Sequence, residues 1–146
     1  MKITQRPASK SDEDFARDTH HKAFQRVVTE QFGAWDEAVQ DQFFYSAWNA
    51  RPSNILLCDN KPCGYVSIEE KPDSIYVGEL VIHPAFQGKN IGTTILNDVF
   101  KKAAIKKLPV KLQVLHKNKA QLLYKKLGFV QTGQTDTHIL MERPSP

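Results

Sequence analysis

The stretch from Glu79 to Thr94 contains the residues whose types and spacing point most clearly to chemistry. An apolar run, Leu80-Val81-Ile82, ends at His83-Pro84, and the segment QGKNIG follows at residues 87–92. This pattern predicts a strand, a short loop and the start of a helix. The first N–H groups of a helix have no intrahelical partner, and the helix dipole favours negative charge at that end. The segment therefore predicts a site for a phosphate or a similar anion.

Two familiar phosphate-binding patterns do not fit this loop. A Walker loop would end in GK[ST], and the dinucleotide fingerprint GxGxxG has a different spacing and follows a first strand. Gly88 and Gly92 permit close approach of a ligand to the backbone. Tight packing of the strand against the helix, with no ligand, is the alternative explanation of the same glycines.

A second segment, NKAQLLYKKLGF at residues 118–129, makes the pattern specific. Together with QGKNIG it resembles the GNAT superfamily of acyl-CoA-dependent N-acyltransferases. The central motif of that family is Gln/Arg-x-x-Gly-x-Gly/Ala after an apolar strand. Its next motif runs from an asparagine through an alanine to Leu-Tyr-x-x-Leu-Gly-Phe. Asn90 stands where the family has its middle glycine.

The resemblance implies that acetyl-CoA is the acyl donor and that no metal takes part. It implies that amides at the helix start hold the pyrophosphate and that nearby lysines attract the remaining charge. The backbone of the preceding strand would pair with the pantetheine arm, which Asn118 would also bind. The implied cofactor-binding residues are Leu80, Val81, Ile82, Gln87, Gly88, Lys89, Asn90, Ile91, Gly92, Thr93 and Asn118.

Transfer of an acyl group to an amine requires a base for the amine and an acid for the departing thiolate. Tyr124 matches the family tyrosine that acts as the general acid, although an aromatic on the packing face of a helix is the alternative. Glu79 is the candidate base. A surface carboxylate on the outer face of its strand, with a water relay instead, is the alternative there. His83, His116 and His138 are weaker candidates.

The acceptor is expected to be a small-molecule or peptide amine. Its pocket should lie between the first two helices and the last hairpin, with Phe32, Trp35, Tyr45 and Trp48 as candidate lining residues. The acidic bias of residues 11–42 suits a cationic acceptor. The only cysteines, Cys58 and Cys63, lie on a predicted hairpin away from this site, which favours direct transfer in a ternary complex over a covalent intermediate.

The elements that must position these residues follow the order β-α-α-β-β-β-α-β-α-β-β, an α/β (α+β) arrangement. The predicted bounds include strands at residues 75–82 and 110–115, a helix from Gly88 to Lys107, and a last hairpin that turns at Gly133. The resemblance implies a mixed, mostly antiparallel sheet of six to seven strands, flanked by about four helices, with a splayed parallel strand pair.

The chain has 146 residues and a net charge of +4. Its length is typical of one domain, residues 1–146. It contains no apolar run of the roughly 20 residues that span a bilayer, and its first residues carry no apolar export signal, so a cytoplasmic protein without membrane contact is expected. A homodimer, common in the family, is compatible with the sequence.

Two other classes of function remain open at this point. One is a non-catalytic acyl-CoA-binding regulatory protein on the same fold. The other is a nucleic-acid-binding module, because residues 89–126 contain ten lysines and a single acid. That stretch lacks arginine and interleaved aromatics, so no nucleic-acid partner is expected.

Overall fold

The computed structural model describes residues Met1 to Pro146 and contains seven strands and four helices. The strands are β1 (Ile3–Pro7), β2 (Asn54–Cys58), β3 (Lys61–Glu70), β4 (Ile75–Ile82), β5 (Val110–Leu115), β6 (Val130–Gln134) and β7 (His138–Arg143). The helices are α1 (Glu13–Phe32), α2 (Glu37–Ala50), α3 (Ile91–Lys106) and α4 (Ala120–Lys126). Short 3-10 turns occupy Lys10–Asp12 and Pro84–Phe86. The order of strands and α-helices is the one that the sequence predicts.

All seven strands join one sheet in the order β1-β2-β3-β4-β5-β7-β6. Neighbouring strands are antiparallel except β4 and β5, which are parallel. The prediction of a mixed, mostly antiparallel sheet with four helices is therefore confirmed.

The parallel pair is joined only at its beginning. Ile75 pairs with Val110 and Tyr76 with Lys111, and no further pairing follows. Just beyond this point β4 has one extra residue, Gly78, relative to β3. A bulge of this kind bends its strand and increases the local twist. The two strands consequently diverge, and most of β4 faces a gap where β5 would otherwise lie.

The helices cover both faces of the sheet. Ile55 and Leu56 are neighbours on β2, so their side chains point to opposite faces. Leu56 belongs to a buried cluster with Ile95 of α3, whereas Ile55 packs in another with residues of α1 and α2 such as Ala16 and Phe44. None of the helices has the length and apolar character that crossing a membrane requires.

Local sequence signals set several of the boundaries. Asp59 and Asn60 both have positive φ, 49° and 68°, and form the two-residue turn between β2 and β3. Asp36 caps α2 by accepting a hydrogen bond from the Val39 N–H at 3.1 Å. Gly33 ends α1 in the left-handed conformation, at φ 87°.

Two predicted boundaries are wrong. Helix α3 begins at Ile91 rather than at Gly88, because Gly88 and Asn90 adopt left-handed conformations, at φ 81° and 60°, that no right-handed helix contains. Gly133 is not the turn of the last hairpin. It lies within β6 opposite Leu140, next to an irregularity in the strand pairing, and the chain turns at residues 135–137.

Candidate active site

A cleft of about 560 Å³ lies where β4 and β5 diverge. Its walls come from both strands, from the loop that follows β4 and from α4. All but one of the thirteen predicted site residues line it. They are Glu79, Leu80, Val81, Ile82, Gln87, Gly88, Asn90, Ile91, Gly92, Thr93, Asn118 and Tyr124.

Backbone N–H groups dominate the loop end of this cleft. The six consecutive amides from Gly88 to Thr93 donate to no acceptor in the chain, whereas the next amide, Thr94 N–H, bonds to Asn90 O at 3.0 Å. The left-handed residues Gly88 and Asn90 keep these amides out of regular helix pairing. Asparagine tolerates this conformation better than most residues, so Asn90 preserves the loop geometry in place of glycine.

Gln87 and Lys89 occupy different positions in this loop. The Gln87 side chain donates from Nε2 to Ile82 O at 3.1 Å, so it ties the loop to the end of β4. Lys89 is the one predicted residue that does not line the cleft. Its Nζ lies 5.8 Å from the centre of the Phe86 ring, and only its backbone N–H remains a candidate anion donor.

Two lysines of the basic stretch, residues 89–126, lie away from the loop. Lys102 and Lys106 belong to the C-terminal half of α3, and both pair with Glu70 of β3. A helix rises 1.5 Å per residue, so these lysines are far from the loop at the other end of α3. Lys102 and Lys106 are therefore unsuited to binding phosphate at the loop, and the expected role of the other lysines of this stretch stays a prediction.

The backbone of β4 presents alternate residues to the gap. His83 N–H donates to Cys63 O at 2.8 Å, which makes this a hydrogen-bonded pair of the β3–β4 ladder. By alternation, the backbone groups of Val81 point to β3, and those of Leu80 and Ile82 point to the gap. Leu80 and Ile82 can therefore pair with an inserted extended ligand, but the backbone of Val81 is already engaged.

Asn118 and Tyr124 hold the opposite wall. Asn118 Oδ1 accepts from Ala120 N–H at 2.9 Å at the start of α4, which leaves the side-chain NH₂ available. The Tyr124 ring packs edge-on against Phe129 at 5.7 Å between centres. The Tyr124 hydroxyl has no partner in the chain. Burial, and then the negative charge of Glu79, raise the pKa of Tyr124 to about 12. Tyr124 thus combines the packing role with a hydroxyl that stays protonated.

Glu79 is not a surface carboxylate. Burial raises its pKa to about 7, although the positive charge of Arg51 opposes this shift. The Arg51 guanidinium crosses β4 at Gly78, where any Cβ would overlap it. A carboxyl with a pKa near neutrality can accept a proton and release it again at physiological pH.

A second cavity, of about 790 Å³, lies between α1, α2 and the start of β7. It shares Phe24, Glu79, Leu115 and His138 with the cleft, so the two spaces meet at these residues. It lies where the sequence predicts an acceptor pocket.

Two of the four predicted lining residues, Phe32 and Trp48, face this second cavity. Trp35 and Tyr45 do not. Trp35 donates from Nε1 to Glu37 Oε2 at 2.7 Å, and Tyr45 packs against Phe44. The prediction for Trp35 and Tyr45 is wrong because Trp35 lies in the loop between α1 and α2, and Tyr45 occupies a face of α2 that does not line the cavity.

Two cavity residues were missed by the sequence reasoning. His20 lies on α1, and its Nδ1 is 2.8 Å from His21 Nδ1. Tyr65 lies on β3 with a hydroxyl that has no partner in the chain. Burial and the charge of Glu79 raise its pKa well above the usual value. The alternation of β3 and the helical spacing of α1 could have indicated inward positions, but not which cavity they face.

The other histidines have separate roles. His83 Nδ1 accepts from Ala85 N–H at 3.1 Å, and His116 Nε2 bonds to Thr135 O at 2.8 Å; neither residue lines the cleft or the second cavity. His138 lies at the junction of both spaces. Burial, and then the neighbouring His116, lower the pKa of His138, which favours its neutral form.

A cluster of His21, Glu37 and Asp41 brings three potential ligand atoms within 4.8 Å of one another. Arg17 already donates to both carboxylates, at 2.7 Å to Asp41 and 2.9 Å to Glu37. The Arg17 guanidinium therefore already neutralises the two carboxylates that would otherwise bind a metal ion.

Comparison with known proteins places this geometry in a family. Residues 43–131 match the Acetyltransferase (GNAT) domain family. An uncharacterized N-acetyltransferase of Methanocaldococcus jannaschii is 33% identical over 92 residues, which is 62% of this chain. The match spans only 39% of the length of that archaeal protein.

Solved structures share the fold across nearly the whole chain. The PaiA N-acetyltransferase of Thermoplasma acidophilum, in complex with coenzyme A, has a TM-score of 0.79 at 17% identity, with 99% of each chain covered. The ribosomal-protein-S18-alanine N-acetyltransferase of Escherichia coli has a TM-score of 0.70 at 19% identity, with 99% of this chain and 94% of that chain covered. The motifs, the splayed sheet and the family match agree, and the chain belongs to the GNAT acetyltransferase family.

Proposed function

We propose that this protein transfers an acetyl group from acetyl-CoA to a primary amine by direct transfer in a ternary complex. The observation that carries the proposal is the shared wall of the two cavities. Glu79 faces both the cleft with free amides and the second cavity. A donor and an acceptor bound in these two spaces would meet at a carboxyl group with a pKa near 7.

The residues present fit coenzyme A. The partnerless amides from Gly88 to Thr93 would hold its pyrophosphate. The backbone of Leu80 and Ile82 would pair with the amides of its pantetheine arm, and the free NH₂ of Asn118 would donate to the same arm. Acetyl-CoA supplies an activated thioester acyl group when bound.

The side chains at the junction would move the protons. Glu79 would take a proton from the acceptor ammonium, directly or through a water. Tyr124, protonated because of its high pKa, would donate its proton to the leaving sulfur. The backbone N–H of a β4 residue in the gap would stabilise negative charge on the reacting carbonyl oxygen.

Direct transfer is favoured because the cysteines are unsuited to forming an acyl-enzyme. Cys58 and Cys63 are both buried on the β2–β3 hairpin and line neither cavity. Burial, with the neighbouring Cys58, raises the pKa of Cys63 to about 11, so its nucleophilic thiolate is scarce at neutral pH.

Initial rates of thiol release, measured with both substrates varied, test this proposal. Direct transfer predicts intersecting double-reciprocal lines and one acetylated amine per coenzyme A released. Parallel lines would contradict the ternary complex. Acetyl-CoA binding by calorimetry without turnover of any amine in a broad panel would instead support the non-catalytic regulatory role.

A further inference from the structure

The charge of the residues that line the second cavity indicates which kind of polar group its ligand carries. Two of the residues that line it, Glu79 and Asp36, have acidic side chains. No lysine or arginine lines it, although the chain as a whole carries a net charge of +4. A cationic group is therefore favoured inside a protein that is otherwise basic.

The walls of the cavity are apolar and rich in aromatic rings. Eleven of its eighteen lining residues are hydrophobic. Aromatic rings provide large apolar contact areas and favour stacked or edge-to-face neighbours. The aromatic residues are Phe24, Phe32, Phe43, Phe44, Trp48 and Tyr65.

The mouth of the cavity continues this apolar surface. Phe32, Val39 and Phe43 line it while remaining 52%, 40% and 62% exposed. Exposed large apolar side chains around one opening are unusual on a soluble surface and indicate a ligand that covers them. The part of the ligand farthest from Glu79 would therefore be apolar.

His20 does not add a second ionic contact. Burial, and then the charge of its neighbour His21, lower the pKa of His20 to about 4, so the ring is neutral at neutral pH. The other carboxylates near it do not line the cavity: Asp41 pairs with Arg17 and His21, and Glu37 with Arg17. The middle of the cavity thus offers hydrogen bonds but no ion pair.

Asp36 is the only alternative anchor for a second cation. It is exposed at the mouth, and its Oδ1 already accepts the Val39 N–H at the start of α2. A diamine or polyamine long enough to reach from Glu79 to Asp36 would use this carboxylate, and the Asp36→Asn variant described below would detect that use.

We propose that the acetyl acceptor is a primary monoamine with an apolar alkyl or arylalkyl body, whose amine meets Glu79 and whose body fills the aromatic cavity. The inference rests on the proposed function of the site. It excludes diamines, polyamines and peptide N-termini as preferred acceptors.

The first test compares hexylamine with cadaverine, a diamine of the same chain length in which an ammonium replaces the terminal methyl. An alanyl peptide with a free N-terminus is the third acceptor. We expect kcat/KM for hexylamine to exceed that of both others by at least about tenfold, because an ammonium or peptide groups would be desolvated against apolar walls. Equal rates, or a preference for cadaverine or the peptide, would overturn the inference.

A second test uses the exposed mouth residues, whose substitution leaves the buried core intact. Phe32→Ser and Phe43→Ser should each raise KM for hexylamine about threefold or more, with little change in kcat. Ile105→Ser is the matched control, because Ile105 is 84% exposed on α3 and lines neither cavity. An unchanged KM in both mouth variants, or an equal change in the control, would contradict the inference.

The two hypotheses can fail separately. If coenzyme A is released with cadaverine or the peptide as the preferred acceptor, acetyl transfer stands and the monoamine inference fails; Asp36→Asn then reports whether the diamine uses the mouth carboxylate. If no amine is acetylated, the proposed function fails. Calorimetric binding of hexylamine against cadaverine then decides the inference, and equal or weaker binding of hexylamine overturns it.

Discussion

Glu79 combines a half-buried position with access to two cavities, and this combination sets its protonation. Desolvation disfavours the carboxylate, while Arg51 partly restores it. A carboxyl group with a pKa of about 7 is half ionised at neutral pH, so it takes up and releases a proton with similar ease. The same residue as an ordinary surface glutamate would be a much weaker proton acceptor.

We predict that Glu79→Gln lowers kcat/KM by about 100-fold, the usual contribution of a general base. In the wild type, kcat/KM should rise with pH through an apparent pKa near 7, and the variant should lack this limb. The loss should shrink above the pKa of the acceptor amine, since the free amine needs no base. pH–rate profiles give the answer, with Glu69→Gln as control, because Glu69 also approaches Arg51 but lines neither cavity. A wild-type profile in Glu79→Gln would remove Glu79 from the mechanism.

Tyr124→Phe should lower kcat by about 100-fold with acetyl-CoA affinity nearly unchanged. The variant keeps the ring that packs on Phe129 and removes only the hydroxyl. Calorimetry and steady-state kinetics measure the two quantities. Tyr45→Phe, on α2 and outside both cavities, should leave both values alone. If kcat of Tyr124→Phe stays near the wild-type value, Tyr124 has only a structural role in packing and is not the general acid.

His20 and Glu79 should have opposite effects on stability between pH 4 and 7. The pKa of Glu79 is raised from 4.5 to about 7 in the fold, so its favourable contribution is present below pH 4.5 and is lost as pH rises. The pKa of His20 is lowered from 6.5 to about 4, so its contribution is present above pH 6.5 and is lost as pH falls. Each effect is at most about 3 kcal/mol.

Urea unfolding from pH 4 to pH 7 can separate these contributions. The free energy of unfolding of the wild type minus that of Glu79→Gln should fall as pH rises. The corresponding difference from His20→Gln should increase as pH rises. In the wild type, the contributions of Glu79 and His20 to the pH dependence of the free energy of unfolding should nearly cancel. Slopes of the same sign in both comparisons would contradict the assigned environments.

The sequence motifs located most of the cleft at the residue scale, because backbone amides and motif positions follow the local order of the chain. Val81 and Lys89 show the limit. Strand alternation turns the Val81 backbone towards β3, and the Lys89 side chain does not line the cleft. Tyr65 and His20 were missed because their positions in the cavity depend on contacts between distant elements.

At the scale of elements, the proposed anion site depends on a backbone conformation and not on side chains. We predict that Gly88→Ala weakens acetyl-CoA binding by about tenfold, since a left-handed alanine costs roughly 1 kcal/mol or more and would shift the donor amides. A Cβ at Gly88 meets no atom within 4 Å, so steric overlap is not the cause.

Gly33→Ala is the matched control for this change. Gly33 has nearly the same φ, 87° against 81°, and the same open surroundings. Thermal unfolding should show similar destabilisation in both variants, and calorimetry should show weaker acetyl-CoA binding only in Gly88→Ala. Unchanged affinity in Gly88→Ala, or equal losses in both, would count against the loop as the phosphate site.

Element order could be read from the sequence because turn residues and apolar periodicity are local. The start of α3 and the turn of the last hairpin could not. Gly88 and Gly133 are both glycines, yet one keeps a loop out of the helix and the other sits inside a strand. The conformation of Gly133 depends on the pairing of β6 with β7, and that of Gly88 depends on the loop after β4. Neither can be read from the residue type alone.

At the scale of the whole molecule, the divergence of β4 and β5 opens a passage through the sheet. In the proposed ternary complex, the cleft would receive one ligand from the side of the loop and α4, and the cavity between α1 and α2 would receive the other. The sequence indicated the cavity's general position, but the packing of α1, α2 and the loop between them decides that Phe32 and Trp48 face it while Trp35 and Tyr45 do not.

A crystal structure with coenzyme A and hexylamine is the most direct test of the account. It should show the pyrophosphate within hydrogen-bond distance of the amides of Gly88–Thr93, the sulfur beside the Tyr124 hydroxyl, and the amine facing Glu79 from the other cavity. Coenzyme A bound outside the β4–β5 cleft, or an amine held away from Glu79, would contradict the account.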